Sequence, residues 1–436
     1  MTDAAAATRR AIDAVWRIES ARAIAGLARI TGDVSIAEDL AQDALLAALE
    51  QWPQSGVPDN PGAWLMAAAK RKAIDQMRHA KMAEKKHGEI GRGMDDAQDH
   101  EVERLVDSID DDIGDDLLRL IFTACHPVLS TEAQVAMTLR LLGGLTTPEV
   151  ARAFLVPEAT LAQRIVRAKK TLTEARVPFE VPRGTEFDER LDSVLTVIYL
   201  IFNEGYSATA GDDWMRPALC EDALRLGRIL AALVPKDAEV HGLLSLMEIQ
   251  ASRIATRTKP NGDLIRLLDQ NRSHWDRLLI SRGLAALERA LSLGHALGPY
   301  ALQASIAVCH ARATRNDETD WPRIAALYNA LAALTPSPVI ELNRAVAVSM
   351  AFGPAAGLVI VDGLMQEPSL KEYHLLPSVR GDFLAKLGKF AEARSEFERA
   401  ASMTRNAREK ELLLERAAAC SHGFLVPPAG ADSTPS

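Results

Sequence analysis

"LTTPEVARAFLVPEATLAQRIVRAKKTL" occupies residues 145–172. Thr146 and Glu149 have the spacing of a capping box, with Pro148 inside the first turn. A short helix is expected through Phe154, a turn at "LVP", and a second helix opened by Pro157. Leu161, Ile165, Ala168 and Leu172 recur at helical spacing and are expected to face inward. Thr160, Gln163, Arg164, Arg167 and Lys170 then share the outer face. Two short helices, a tight turn and a basic outward face make a helix-turn-helix. The period alone leaves a second reading open, an ordinary solvated helix in an all-α bundle. What surrounds the stretch has to decide between them.

The whole chain is acidic, with a formal net charge of -9. The charge comes in blocks. "KRKAIDQMRHAKMAEKK" (70–86) holds seven Lys/Arg against Asp75 and Glu84, and "DDAQDHEVERLVDSIDDDIGDD" (95–116) holds eleven carboxylates against Arg104. The basic helix follows. A basic, acidic, basic order suggests two nucleic-acid-facing modules joined by an acidic spacer. In that spacer Asp107, Asp110, Asp111, Asp112, Asp115 and Asp116 could imitate a nucleic-acid backbone, form a self-repelling linker, or contact the basic segments of the same chain.

Outward from there, nearly every segment has the helical period. The 436 residues are enough for about two to four domains. With 48% hydrophobic but only 5% aromatic residues, the composition favours helix over strand. "AEDLAQDALLAALEQW" (37–52) puts Leu40, Ala44, Leu45, Ala48, Leu49 and Trp52 on one face and Glu38, Asp39, Gln42 and Asp43 on the other. Pro53, Gly56, Pro58, Pro61 and Gly62 are expected to break the chain into a loop. "AWLMAAAKRKAIDQMRHAKM" (63–82) restarts a helix, with Trp64, Leu65, Ala68, Ile74 and Met77 as its buried positions. The helix near Cys125 should end before Pro127. Ser130 or Thr131 caps the next, and Gly143-Gly144 ends it. "ARVPFEVPRGTEFDER" (175–190), with Pro178, Pro182 and Gly184, reads as a domain boundary. Beyond residue 299, helices of about a dozen residues alternate with "TPSP", "FGP" and "LGK", the pattern of stacked helix pairs. "LPSVRGDFLAKLGKFAEARSEFERAASMT" (376–404) has the small-residue and aromatic placement of a tetratricopeptide pair. The final "LVPPAGADSTPS" lacks any period and reads as a disordered tail.

Several function classes are disfavoured. No apolar run reaches the roughly 18 residues of a membrane span, and Arg9, Arg10, Arg17 and Glu19 fall where a signal peptide needs its apolar core. A cytoplasmic protein without membrane contact is expected. Cys125, Cys220, Cys309 and Cys420 form neither a CxxC nor a ligand spacing, so no metal and no disulfide framework is indicated. His241, His274, His295 and His310 are scattered. No GxxxxGK[ST], GxGxxG or HExxH is present, and neither a cofactor nor an enzyme activity is expected.

The order of these pieces resembles an extracytoplasmic-function (ECF) sigma factor of the sigma-70 family, a subgroup with a fused helical, tetratricopeptide-like extension. "AEDLAQDALLAALEQW" is similar to the segment that docks on the polymerase clamp, and "NPGAWLMAAAKRKAIDQMRHAKM" (60–82) to the minus-ten-reading and melting segment. The stretch 145–172 is similar to the helix-turn-helix that reads the minus-thirty-five element. "LTVIYLIFNEGYSAT" (195–209) is the stretch of the extension that carries its resemblance. The resemblance implies an all-α fold: sigma region 2 over 8–87, an acidic flexible linker over 88–114, sigma region 4 over 115–176, a helical extension over 185–298, tetratricopeptide-like repeats over 299–422 and a tail over 423–436. It implies that Asp39, Gln42 and Asp43 meet the polymerase. Trp64 and the loop with Asp59 and Asn60 would hold a flipped minus-ten base. Lys70, Arg71, Arg78 and Lys81 can neutralise phosphates. Thr160, Gln163, Arg164 and Arg167 would meet major-groove edges or phosphates, and Lys169 and Lys170 would hold phosphates. The expected partners are bacterial RNA polymerase core, promoter DNA, and a regulatory protein or peptide on the concave face of the repeats. The competing reading is a helix-turn-helix regulator with a ligand-sensing helical domain, which would need no clamp-docking helix.

Overall fold

The computed structural model describes residues 3–87, 113–154, 156–207, 215–259, 265–294, 296–404 and 407–421. Among these residues the architecture is all helical, and the chain divides into two compact units, Met1–Leu200 and Ile201–Ser436.

The first unit begins with α1 (Asp3–Thr31), α2 (Val34–Ser55) and α3 (Pro61–His87). Asp33 caps α2, accepting from the Ser35 and Ile36 amides at 2.6 and 3.2 Å. The expected break at Pro53 comes later. Pro53 lies within the last turn of α2, and the helix stops at Gly56, whose φ of 85° no side chain would favour. Asn60 caps α3 through Ala63. The three helices bury Trp16, Ile24, Leu27, Leu40, Ala44, Trp52 and Leu65. In α3, Ala69 and Ala73 are the fully buried positions, while Trp64, Ala68 and Ile74 are half-buried. Small residues let α3 approach its neighbours closely, which hydrophobicity alone does not reveal.

Four helices follow: α4 (Ile113–Ala124), α5 (Thr131–Leu141), α6 (Thr147–Ala153) and α7 (Glu158–Glu174). The expected caps form. Ser130 accepts from Ala133, and Thr146 and Glu149 close a reciprocal capping box. The two modules expected on either side of the linker pack on each other: α1 packs on α4 and touches α5. At the crossing, a Cβ on Gly144 would lie 2.9 Å from Ser20 and 3.1 Å from the Arg17 backbone, and Gly144 has φ 68°. Only glycine suits both demands.

α8 (Thr185–Tyr206) contains the boundary between the units. Its first half belongs to the first unit. Arg190 donates to the Phe122 carbonyl at 2.8 Å, Ser193 donates to the Cys125 carbonyl, and Phe187 packs on Phe122 at 5.3 Å. The expected boundary at 175–190 ends a helix, and the contacts of the first unit run on into α8 as far as Leu200.

The second unit continues with α9 (Pro217–Leu233), α10 (Ala238–Ala251), α11 (Arg277–Ser292), α12 (Pro299–Arg312), α13 (Trp321–Leu334), α14 (Pro338–Phe352), α15 (Pro354–Leu364), α16 (Leu375–Lys386), α17 (Phe390–Met403) and α18 (Ala407–Ser421). From α12 on, each helix packs on the next. Successive cores form around Ile324 and Leu331, around Val361 and Phe383, and around Phe397 and Leu413. The expected pair at 376–404 is α16 and α17, joined through Gly388 at φ 75°. The tail over 423–436 lies outside the described residues.

Candidate nucleic-acid interface

The helix-turn-helix is built as its period requires. Leu161, Ile165, Ala168 and Leu172 are all buried. Thr160, Gln163, Arg167 and Lys170 are exposed, and Arg164 is half-buried. α7 is about 26 Å long at 1.5 Å per residue, and a major groove about 12 Å wide admits a helix. Beside its outer face lies a concave groove of about 330 Å³, lined by Val128, Ser130, Thr160, Gln163, Arg164 and Arg167. Its donors include the hydroxyls of Ser130 and Thr160, an amide and two guanidiniums, groups that can read base edges and phosphates. Val166, 65% exposed on the same helix, was not anticipated. Its signal was legible: one apolar residue out of phase with the buried stripe.

Lys169 does not share this face. It turns inward, and its Nζ lies 2.7 Å from Glu38 Oε2 on α2. Glu38, expected on the solvated face beside Asp39, is buried at 2% exposure. Its other oxygen takes Arg140 Nε at 2.7 Å and Gln42 Nε2 at 2.8 Å. Arg140 in turn donates to the Leu145 carbonyl and holds the entry to the helix-turn-helix. Three further contacts join the same two helix groups: Arg17 to Glu149 at 2.8 Å, Arg29 to Asp116 at 3.3 Å, and Thr173 to Asp33 at 3.3 Å.

Asp116 corrects one expectation. It is fully buried and paired with Arg29 and with Arg119 at 2.8 Å, so it is a structural anchor and no mimic of a phosphate backbone. Asp115 is exposed in the first turn of α4. Asp107, Asp110, Asp111 and Asp112, with the rest of the expected linker up to 112, lie outside the described residues.

Along the polar strip of α2, Asp39 is exposed, Gln42 leans on Glu38, and Asp43 pairs with Lys72 of α3 at 3.5 Å. Trp64 packs edge-on against the buried Trp52 at 5.3 Å, next to the exposed Asp59 and Asn60. Arg71 is exposed, Lys70 is half-buried, and Arg78 and Lys81 lie further along α3. All four cysteines are buried thiols; burial pushes Cys125 and Cys220 up to about 12. Among the described residues no group of His, Cys, Asp and Glu could hold a metal, and no helix is long and apolar enough to cross a membrane. In "NEGY" (203–206), Glu204 pairs with Arg216, while Tyr206 stacks on Phe202.

The comparisons with known proteins agree with this layout. Residues 19–82 match Sigma-70 region 2, residues 119–172 match Sigma-70, region 4, and residues 190–291 match a family of unknown function, DUF6596. The chain is 41% identical over 389 residues to the uncharacterized protein R00370 of Rhizobium meliloti (strain 1021), covering 89% of this chain and 90% of that protein. It is 27% identical over 173 residues to the probable ECF RNA polymerase sigma factor SigI of Mycobacterium tuberculosis, covering 39% of this chain and 57% of that one. No solved structure matches. The region 2 match disfavours a helix-turn-helix regulator that never meets polymerase.

Proposed function

The chain belongs to the sigma-70 family, as an RNA polymerase sigma factor of the ECF type with a C-terminal helical extension, and from that premise we propose how its parts divide the work. Families of this kind are polymerase subunits and not enzymes, and their partners are core polymerase and promoter DNA. Asp39, Gln42 and Asp43 form a polar strip along α2 that pairs with cationic side chains of the polymerase clamp. Lys70, Arg71, Arg78 and Lys81 along α3 neutralise phosphates. Trp64, with Asp59 and Asn60, borders the place where an extruded minus-ten base is held; extrusion is cheapest where the strands already open. α7 enters the major groove at the minus-thirty-five element. There Arg164 and Arg167 pair with guanines or phosphates, Gln163 pairs with adenine, Val166 meets a thymine methyl, and Thr160 and Lys170 hold the backbone. The protein works in the cytoplasm with the polymerase. The extension, with its stacked helix pairs, adjusts polymerase engagement by holding a regulatory protein, peptide or ligand.

One further step completes the reading. The minus-ten and minus-thirty-five elements lie about 25 base pairs apart, about 85 Å of duplex at 3.4 Å per pair. In the structure α2 and α7 are tied together through Glu38. The first unit therefore opens when it engages a promoter, and Lys169 then becomes available to phosphate. The observation that carries the DNA-reading function is the exposed, cationic outer face of α7 over its buried stripe. Transcription with bacterial core polymerase, the full chain and the DNA upstream of its own gene tests it. Initiation that depends on the chain is expected, and Arg164→Ala/Arg167→Ala should abolish it while core binding persists. Core binding without initiation on any genomic promoter would sink the reading.

A further inference from the structure

Most arginines of the second unit close onto carboxylates: Arg228 on Glu248, Arg266 on Asp269, Arg344 on Glu341, Arg380 on Asp362 and Glu396. Three do not. Arg253, Arg257 and Arg272 lie in the stretch between α10 and α11, and none forms an ion pair with a described residue. Arg272, 4% exposed, donates only to neutral oxygens: the carbonyls of His310, Ala313 and Arg315, Asn316 Oδ1 and Thr319 Oγ1. Arg257 donates to the Tyr206 carbonyl, and its guanidinium lies 3.7 Å from the centre of the Tyr206 ring. The Arg253 guanidinium stands 5.7 Å from the Tyr206 ring and 5.7 Å from the Trp275 ring, and Arg272 shares the Trp275 ring at 5.4 Å. Arg253 makes no side-chain hydrogen bond to a described residue.

Four buried polar atoms in this cluster lack a partner: Arg253 Nε, Arg272 Nε, Trp275 Nε1 and His310 Nδ1. Trp275 and His310 are 3% and 8% exposed. Burial first, then Arg253 and Arg272, press the His310 imidazole down to about 3. It therefore stays neutral and keeps hydrogen-bonding capacity without adding a fourth charge. Three cations thus share two aromatic faces, and none closes an ion pair with a described carboxylate; Glu318 acts on Arg272 only through space. Arg272 alone reads as a brace for the turn after α12. Arg253 and Arg257 brace nothing comparable, and both are half-buried, so solvent reaches them.

We propose that Arg253 and Arg257, backed by Arg272, Trp275 and His310, form a binding site for a small oxyanion, a carboxylate or a phosphate carried by a metabolite. A guanidinium fork grips either group bidentately. The unpartnered donors are too deeply set for a duplex backbone or a protein surface, so the ligand is small. The extension is then itself a ligand sensor, whatever its effect on polymerase.

The test uses the full chain without polymerase, so it stands apart from the promoter reading. Inorganic phosphate and succinate are titrated by calorimetry at ionic strength held constant with potassium chloride, with thermal unfolding in parallel. Saturable binding and a rising midpoint are expected with one of the two anions, and which one binds identifies the ligand's group. Arg253→Gln should fold as the wild type does, since the Arg253 side chain makes no hydrogen bond to a described residue, and should lose binding at least tenfold. Arg253→Lys should keep a weakened response, and Trp275→Phe, which keeps the ring and drops Nε1, should weaken binding severalfold. Absence of saturable binding by either anion at millimolar concentration would overturn the proposal. So would equal binding by wild type and Arg253→Gln.

Discussion

At the residue scale the decisive side chain is Glu38. Its carboxylate is 3% exposed and holds Arg140 and Lys169, themselves 16% and 19% exposed. Removing one partner of a buried pair leaves the other charge uncompensated, at a cost of about 3–5 kcal/mol when both are fully buried. Here the stranded cations can partly hydrate, so Glu38→Ala should cost the first unit about 2–3 kcal/mol in urea unfolding. The same variant frees Lys169. Duplex binding should then strengthen, and its salt slope should steepen by about 1. Lower stability with unchanged salt slope would mean that Lys169 never reaches DNA. His310 gives a second prediction. Its folded value is about 3, mainly through burial, against about 6.5 unfolded. The unfolded chain therefore binds the proton more readily. Stability is complete above about pH 6.5 and falls as pH drops from there toward 3, by at most about 1.4 kcal/mol per unit. Between pH 6.5 and 5, before carboxylates titrate, chemical unfolding of His310→Gln should show a shallower loss than the wild type. Parallel losses would remove the histidine from the account.

At the element scale, periodicity told which residues of α7 face inward, and the capping box told where α6 starts. Both are local: neighbours three and four positions away decide them. What the sequence could not tell was what each helix packs against. Glu38 shares its phase with Asp39, Gln42 and Asp43, and only partners far along the chain make it buried. Likewise Pro178, Pro182 and Gly184 mark a helix break, but they say nothing of where Arg190 and Ser193 go, and both go to carbonyls at the end of α4. Recognition of the motifs supplied the family, while the closure between α2 and α7 was illegible. The repeats were easier, because their fit is between adjacent helices. Gly381 of α16 faces the buried Phe397 of α17, and a Cβ there would lie 2.9 Å from the ring. Gly381→Ala should destabilise the second unit by about 1–3 kcal/mol through overpacking, despite alanine's better helix propensity. A stabilised variant in thermal unfolding would show that Phe397 can move aside.

At the scale of the whole molecule, the proposed function makes the first unit a closed form that opens to reach two separated stretches of DNA. Its closure rests on contacts of differing depth. Glu38 and Asp116 are buried, while the Arg17–Glu149 pair is 46% and 35% exposed. The exposed ion pair contributes little, roughly 0–1 kcal/mol, and Glu149→Cys also gives up the Glu149 arm of the capping box, at about 0.5–2 kcal/mol, so the fold is expected to persist. That makes it the place for a reversible lock. In Arg17→Cys/Glu149→Cys, the new thiols sit at the surface, whereas the four native thiols are buried and Cys125 and Cys220 are held up at about 12. A bismaleimide with a reducible disulfide bridge should therefore react at the engineered pair. The tethered chain should bind core polymerase weakly or not at all and should support no initiation, and reduction of the bridge should restore both. If the tethered chain initiates as well as the untethered one, the two helix groups need not separate, and the contacts through Glu38 would be ordinary packing with no part in engaging the promoter.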